Sequence, residues 1–238
     1  MYIGWDVGGW NCDSNTLSRD ALVIVAADGN LVGRPWRGNL RNTILNCATA
    51  SNFVYALFGL CHADDRFDAA SRSVLAIDAP LALPRALLAL AQGQVCEDML
   101  TVSSQNPYLY RFTERRLAAE GLTPLSTVKD MIGSQSAKAM HAVAKFLPHL
   151  ESVGVWTGPD ITAIETYPSL CRRRLREGFL PPCEILECKP DIVDAWVCAM
   201  IARTYALART DLEGPVAGSP PDEGWIWAPC PPAERNPA

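Results

Sequence analysis

The chain has 238 residues, 49% of them apolar, and a formal net charge of −5 at pH 7. That length and apolar content suit one large domain or two small ones with a packed core. The acidic balance advertises no broad basic face and so argues against tight non-specific binding of nucleic acid.

No apolar run approaches the ~20 residues that cross a bilayer, and no basic start with an apolar stretch marks a leader. The expectation is a cytoplasmic protein without a membrane partner. The nine cysteines are scattered and odd in number, which predicts mostly buried thiols rather than disulfides. With three histidines and no Cys-x-x-Cys, zinc is a poor fit, and Cys183 with Cys188 is the one pair to consider.

In chain order, residues 2–7 read as a first strand and Ala21–Ala27 as a second. Asp28-Gly29-Asn30 supplies a tight turn into a third strand at about 31–37. Asn42 is placed to cap a helix running to about Leu60, with Leu45, Ala48, Val54 and Leu57 among its apolar positions. A fourth strand ends at Asp78, and Pro80 and Pro84 then stop regular pairing.

The stretch from Pro84 to about Asp130 carries short helical patterns and reads as an insertion. Residues 134–150 predict a helix with Ala137, Met140, Ala144 and Leu147 on one stripe. A fifth strand at 161–166, a short helix from Pro168 and a long helix from Pro190 to about Arg209 follow. Glu223-Gly-Trp-Ile-Trp-Ala reads as a last docking strand. The whole is a single domain over 1–229 with a helical insertion at about 84–130 and a flexible tail over 230–238.

This order predicts an α/β fold. The first three strands form an antiparallel meander, and the last two join in parallel through helical crossovers. Helices then cover both faces of a central five-stranded sheet.

Acids stand where the chain turns from these elements. Alternation puts Tyr2, Gly4 and Asp6 on one strand face, with Gly8 and Gly9 beyond them leaving room for a ligand. Asp78 precedes Ala-Pro at the end of the fourth strand, where it serves either a site or its own turn. Glu165 ends the fifth strand and suits neither a strand nor a turn, so it wants a metal or an arginine such as Arg172.

Pro190 suits a first helical position, and the helix's positive end suits Asp191. Asp194 has Val197, Cys198 and Ile201 on its own stripe, so it faces the interior and wants a partner there. That partner is either a metal bridging to the strand-end acids or an ion pair with Lys189 or an arginine. Acids converging on one point repel each other and call for a cation, typically Mg²⁺ or Mn²⁺ with its preference for oxygen ligands.

Arginine clusters at 34/37/41, 111/115/116 and 172/173/174/176 read first as solvated faces. The segment Asn106-Pro-Tyr-Leu-Tyr-Arg-Phe-Thr-Glu-Arg-Arg reads as a substrate-facing element or as an amphipathic helix over the sheet. Arg111, Lys189 and Arg172 are the candidate phosphate-binding cations. No Gly-x-Ser-x-Gly and no Walker-type phosphate loop occurs.

Taken in order, these segments resemble the ribonuclease H-like superfamily. More narrowly they resemble domain-of-unknown-function family 429, described as predicted ribonuclease H-like nucleases. The resemblance runs through Gly4-Trp-Asp-Val-Gly-Gly-Trp, Ala76-Ile-Asp-Ala-Pro-Leu-Ala-Leu-Pro and Tyr110-Arg-Phe-Thr-Glu-Arg. It continues through Ile132-Gly-Ser-Gln, Ala163-Ile-Glu-Thr-Tyr-Pro-Ser, Lys189-Pro-Asp-Ile-Val-Asp-Ala-Trp and Glu223-Gly-Trp-Ile, nearly the whole chain.

The resemblance implies the sheet order 3-2-1-4-5 and a nuclease site at the centre of the sheet. It implies metal ligation by Asp6, Asp78 and either or both of Asp191 and Asp194, with Glu165 as a further catalytic acid. The leading expectation is hydrolysis of nucleic-acid phosphodiester bonds by two Mg²⁺ or Mn²⁺ ions. Two other readings stand beside it. One is nucleotide hydrolysis in the manner of the actin and sugar-kinase relatives, whose phosphate-binding start Asp6-Val-Gly-Gly resembles. The other is an inactive module that keeps the fold to bind a partner.

Overall fold

The computed structural model describes residues 1–98, 100–130, 132–174 and 180–231. Strand β1, Tyr2–Asp6, lies at the middle of the sheet. Strand β2, Asp20–Val25, runs antiparallel to it, and β3, Trp36–Gly38, runs antiparallel to β2. On the other side β1 pairs in parallel with β4, Ser73–Asp78, which pairs in parallel with β7, Ile161–Thr166. These five strands stand in the order β3-β2-β1-β4-β7.

The sheet is larger than the five strands expected. Nine strands are present among the described residues. A hairpin of β5, His149–Ser152, and β6, Val155–Thr157, joins the free edge of β7 along its first half. Strand β9, Ile226–Pro229, continues that edge in parallel past Glu165 and carries the two-residue β8, Leu212–Glu213. The expected last strand is β9. The hairpin went unread because the helical pattern was carried through to 150. Pro148 forbids that, and Gly154, at φ +70°, makes the turn.

Helices cover both faces. Period-two alternation sends Ile3 and Trp5 toward one side, where they share a core with Phe53, Leu57, Val143 and Phe146. The rings of Phe53 and Phe146 stack there with centroids 4.4 Å apart. These side chains come from α2, Ala50–Leu60, and α5, Gly133–Phe146. The expected helix to Leu60 is two helices, α1, Arg41–Asn46, and α2, because Thr49 turns the chain and accepts a hydrogen bond from the Asn52 amide at 3.1 Å.

The buried stripe of α5 is Ala139, Ala142, Val143 and Phe146 rather than the one expected, since Ala137 and Ala144 are exposed. Both sets have helical spacing, and only the second places the large Phe146 inward.

The opposite face carries one long helix. Between β4 and α5 come α3, Arg85–Ala91, and α4, Phe112–Ala119; after β7 come α6, Pro168–Arg174, α7, Cys183–Leu186, and α8, Pro190–Leu207. Helix α8 packs on β1, β2 and β4, burying Ala195, Val197, Cys198, Ala199 and Ile201. All nine cysteines are unpaired, Cys183 and Cys188 included, and four of the nine are buried, fewer than expected.

No described helix is long and apolar enough to cross a membrane. Cys230, the start of the expected tail, is held by its amide to Asp211 O at 2.9 Å. Residues 232–238 and Arg176 lie outside the described residues.

Candidate functional site

The site follows from how closely α8 approaches β1. Tyr2, Gly4 and Asp6 share the strand face turned toward α8. At Gly4 the helix backbone fills the space a side chain would take, since a Cβ there would stand 1.9 Å from Ala195 O and 2.3 Å from Ala199 N. Asp194 is one residue before Ala195, and Asp6 is two after Gly4. The close crossing therefore carries Asp194 to the end of β1. Asp78, on the adjacent parallel strand, is the register partner of Asp6.

The Asp6 and Asp78 side chains are half-buried at the rim of a cavity of ≈ 240 Å³ outside the carboxyl ends of β1, β4 and β7. In open α/β sheets this is where ligands bind. Among the described residues neither carboxylate accepts a hydrogen bond from an amide or a cationic side chain.

Burial pushes the Asp6 carboxyl well above its ordinary range, and the charges of Asp78, Asp194, Asp191 and Asp20 push the same way. Burial and Asp194 push Asp78 up to about 8, against a hydrogen bond shared with Asp6. Two carboxyls this close do not both ionise easily, so near neutrality the pair holds a proton that a cation would replace.

The remaining acids divide. Asp194 is ion-paired with Arg172 of α6 at the surface, and burial outweighs that arginine to leave its carboxyl raised. Asp191 shares the helix end, yet it is buried and turned to the β3 edge, where Arg37 Nε donates to it at 2.6 Å. The Arg19 amide donates to it as well, at 3.4 Å. Its expected place as a metal ligand is corrected to an ion pair that fixes the start of α8 against β3.

Glu165 is likewise a structural partner. It is 2% exposed, with Arg111 Nη1 donating to it at 2.8 Å and the Leu81 amide at 2.9 Å. Burial raises its carboxyl, and Arg111 opposes this. The expectation of an arginine partner is met by Arg111, not Arg172.

Arg111, expected to grip substrate, is 1% exposed and enclosed by Glu114, Glu165 and the Glu223 carbonyl. It locks the α3–α4 insertion to β7, while Glu223 accepts from the amides of Arg85 at 2.8 Å and Phe112 at 2.6 Å. The solvated-face reading of 111/115/116 fails at Arg111 for that reason. Lys189, at the exposed start of α8, makes no ion pair among the described residues. Arg172 alone of the three candidate cations stands beside the acids.

A second buried pair was missed in the sequence. Asp20 and Lys138 are fully buried and ion-paired. Asp20 also accepts from Trp5 Nε1 at 3.0 Å, the Gly8 amide at 2.8 Å and the Leu40 amide at 2.6 Å. Lys138 Nζ reaches Gly9 O at 3.1 Å and Asn39 Oδ1 at 2.9 Å.

Together these residues pin the loop that leaves Asp6. Gly8 and Gly9 are small because that loop is tightly packed. A Cβ at Gly8 would meet Asp20 N at 2.6 Å, and one at Gly9 would meet Ser134 Oγ at 2.9 Å. The space read as room for a ligand belongs to the protein. One signal was present in the sequence: Lys138 adjoins the Ala139 stripe on α5.

Among the described residues no three His, Cys, Asp or Glu side chains stand ready-made at metal-ligand spacing. The donor set still fits a hard cation. Mg²⁺ keeps several waters and is commonly held by only one or two carboxylates, and Asp6 and Asp78 supply oxygen donors alone. No family model, curated protein or solved structure matches the chain.

Proposed function

We propose that the chain is a ribonuclease H-like nuclease that uses Mg²⁺ or Mn²⁺ to hydrolyse phosphodiester bonds of nucleic acid. One observation carries the reading. Asp6 and Asp78 stand in register at the ends of neighbouring parallel strands, beside a cleft and without an ion pair of their own among the described residues. Asp194 is brought up by α8, and Arg172 is close enough to offset the pair's charge only in part. An unpaired acid pair with raised pKa values is costly to the fold, and such groups gather where a function needs them. The β3-β2-β1-β4-β7 order supports the fold reading, and nine unpaired thiols suit a reducing cytoplasm.

Asp6 and Asp78 would hold the cation, and Asp194 would add a donor on leaving Arg172. Held there, such a cation would supply an acidified water as nucleophile and offset charge on the leaving oxygen. Arg172, freed from Asp194, would face a phosphate and hold it as a charge-assisted donor. Without a cation the acids repel a phosphodiester, so the same residues make activity depend on metal.

Purified protein with Mn²⁺, assayed on DNA, RNA and hybrid, is expected to cleave at least one, and Asp6→Asn is expected to abolish that cleavage. Cleavage that survives Asp6→Asn, or ATP turnover with no nucleic-acid cleavage, defeats the reading.

A further inference from the structure

We infer that the strand to be cut reaches the acids unpaired, as a single strand drawn through a narrow cleft; this rests on the nuclease reading above. The acids do not lie on an open face. Across from Asp6 and Asp78 the 240 Å³ cavity is walled by Pro124, Leu125, Ile132 and Gln135, from the segment between α4 and the first turn of α5.

A volume of that size falls below the ~300–1,000 Å³ of ordinary ligand pockets. A cleft walled on the side facing the acids suits one backbone better than the two of a duplex, whose minor groove alone is about 6 Å wide.

The cleft also has a continuation. Pro124, Tyr167 and Ser169 line both the acid cavity and a small neighbouring recess of ≈ 40 Å³ that includes Arg173. Leu122, Thr123 and Pro124 in turn line both that recess and a groove of ≈ 510 Å³ containing Tyr110 and Lys129. One short segment, 122–125, therefore borders three neighbouring hollows, with Asp6 and Asp78 at the first, Arg173 at the second and Lys129 beside Asp130 at the third.

That is the layout a single strand needs. The cleaved phosphate would sit at the acids, and Arg173 and Lys129 would meet backbone phosphates beyond. Tyr167 gives an aromatic surface at the junction, where an unpaired base has a free face to stack on.

The test measures binding of a fluorescein-labelled ten-nucleotide single strand with cleavage-resistant phosphorothioate linkages, and of the same strand annealed to a complement with the same linkages, with Mn²⁺ present. The melting temperature is followed with and without Mn²⁺. The expected result is single-strand binding at least about tenfold tighter than duplex, in line with the free energy of stacking an unpaired base. Ser169→Trp, at an exposed position where the cavity meets the recess, is expected to weaken single-strand binding by about the same factor and to keep the Mn²⁺-induced rise in melting temperature.

Arg173→Glu, on the exposed surface, is a second variant expected to weaken binding should the first misfold. Duplex bound as tightly as single strand, no binding of either, or binding unmoved in both variants overturns the inference while a persisting Mn²⁺ response leaves the metal reading standing. Loss of any Mn²⁺ response in the unaltered protein removes both.

Discussion

Asp6 and Asp78 are direct register partners on adjacent parallel strands, so their side chains leave the sheet side by side on the face that α8 covers. Nothing in the strand pairing requires two acids there. A strand end that only needed to turn would be better served by one.

The cost of that pair appears in its pH dependence. Asp78 is pushed up from 3.8 to about 8, and Asp6 is raised with it. Between those values the folded protein keeps a proton that the unfolded chain has released. The contribution is therefore full below about pH 4 and is lost as pH rises through about 8, at up to ~1.4 kcal/mol per pH unit for each proton. In chelator, Asp78→Asn is expected to lose less stability than the unaltered protein over this range and to be the more stable of the two at pH 9. Urea unfolding at pH 5, 7 and 9 checks this, and parallel curves for the two proteins would contradict it.

Arg172 holds Asp194 where a cation would otherwise draw it in. Arg172→Gln removes that competitor. Isothermal calorimetry is expected to give Mn²⁺ affinity equal to or several-fold higher than that of the unaltered protein, together with reduced turnover. A fall in both would make Arg172 a plain structural brace.

Glu165 behaves differently from the acid pair because it is already matched. Glu165→Gln leaves Arg111 buried against fewer carboxylates, and breaking a buried ion pair costs about 3–5 kcal/mol. The expected result is a clear loss of stability in urea unfolding with the Mn²⁺ response kept. Loss of Mn²⁺ binding at unchanged stability would return Glu165 to the metal site.

Gly4 sets the distance between helix and strand. Gly4→Ala puts a methyl group against the backbone of Ala195 and Ala199, and overpacking of this kind costs about 1–3 kcal/mol. Since Asp194 travels with α8, Mn²⁺ affinity is expected to fall along with melting temperature. An unchanged affinity would show that Asp194 plays no part in the site.

Much of this was legible from local pattern. Alternation in β1 placed Gly4 and Asp6 on one face; the stripe Val197, Cys198 and Ile201 sent Asp194 inward, whereas it stands partly exposed and paired with Arg172. The β5–β6 hairpin was hidden because a helical period ran into it and only Pro148 objected. The fates of Asp191, Glu165 and Arg111 were hidden for another reason. A buried acid announces that it needs a partner, and nothing local says whether the partner is a metal or an arginine more than a hundred residues away, as Arg37 is from Asp191. Asp20 and Lys138 carried still less signal, since each looks like an ordinary surface charge until the fold encloses both.

Anomalous scattering from a crystal of the full chain soaked in Mn²⁺ tests the central claim most directly. The expected result is a Mn²⁺ peak shared by the Asp6 and Asp78 carboxylates that disappears in Asp6→Asn. No peak at that pair, or a peak that survives the substitution unchanged, would contradict the account.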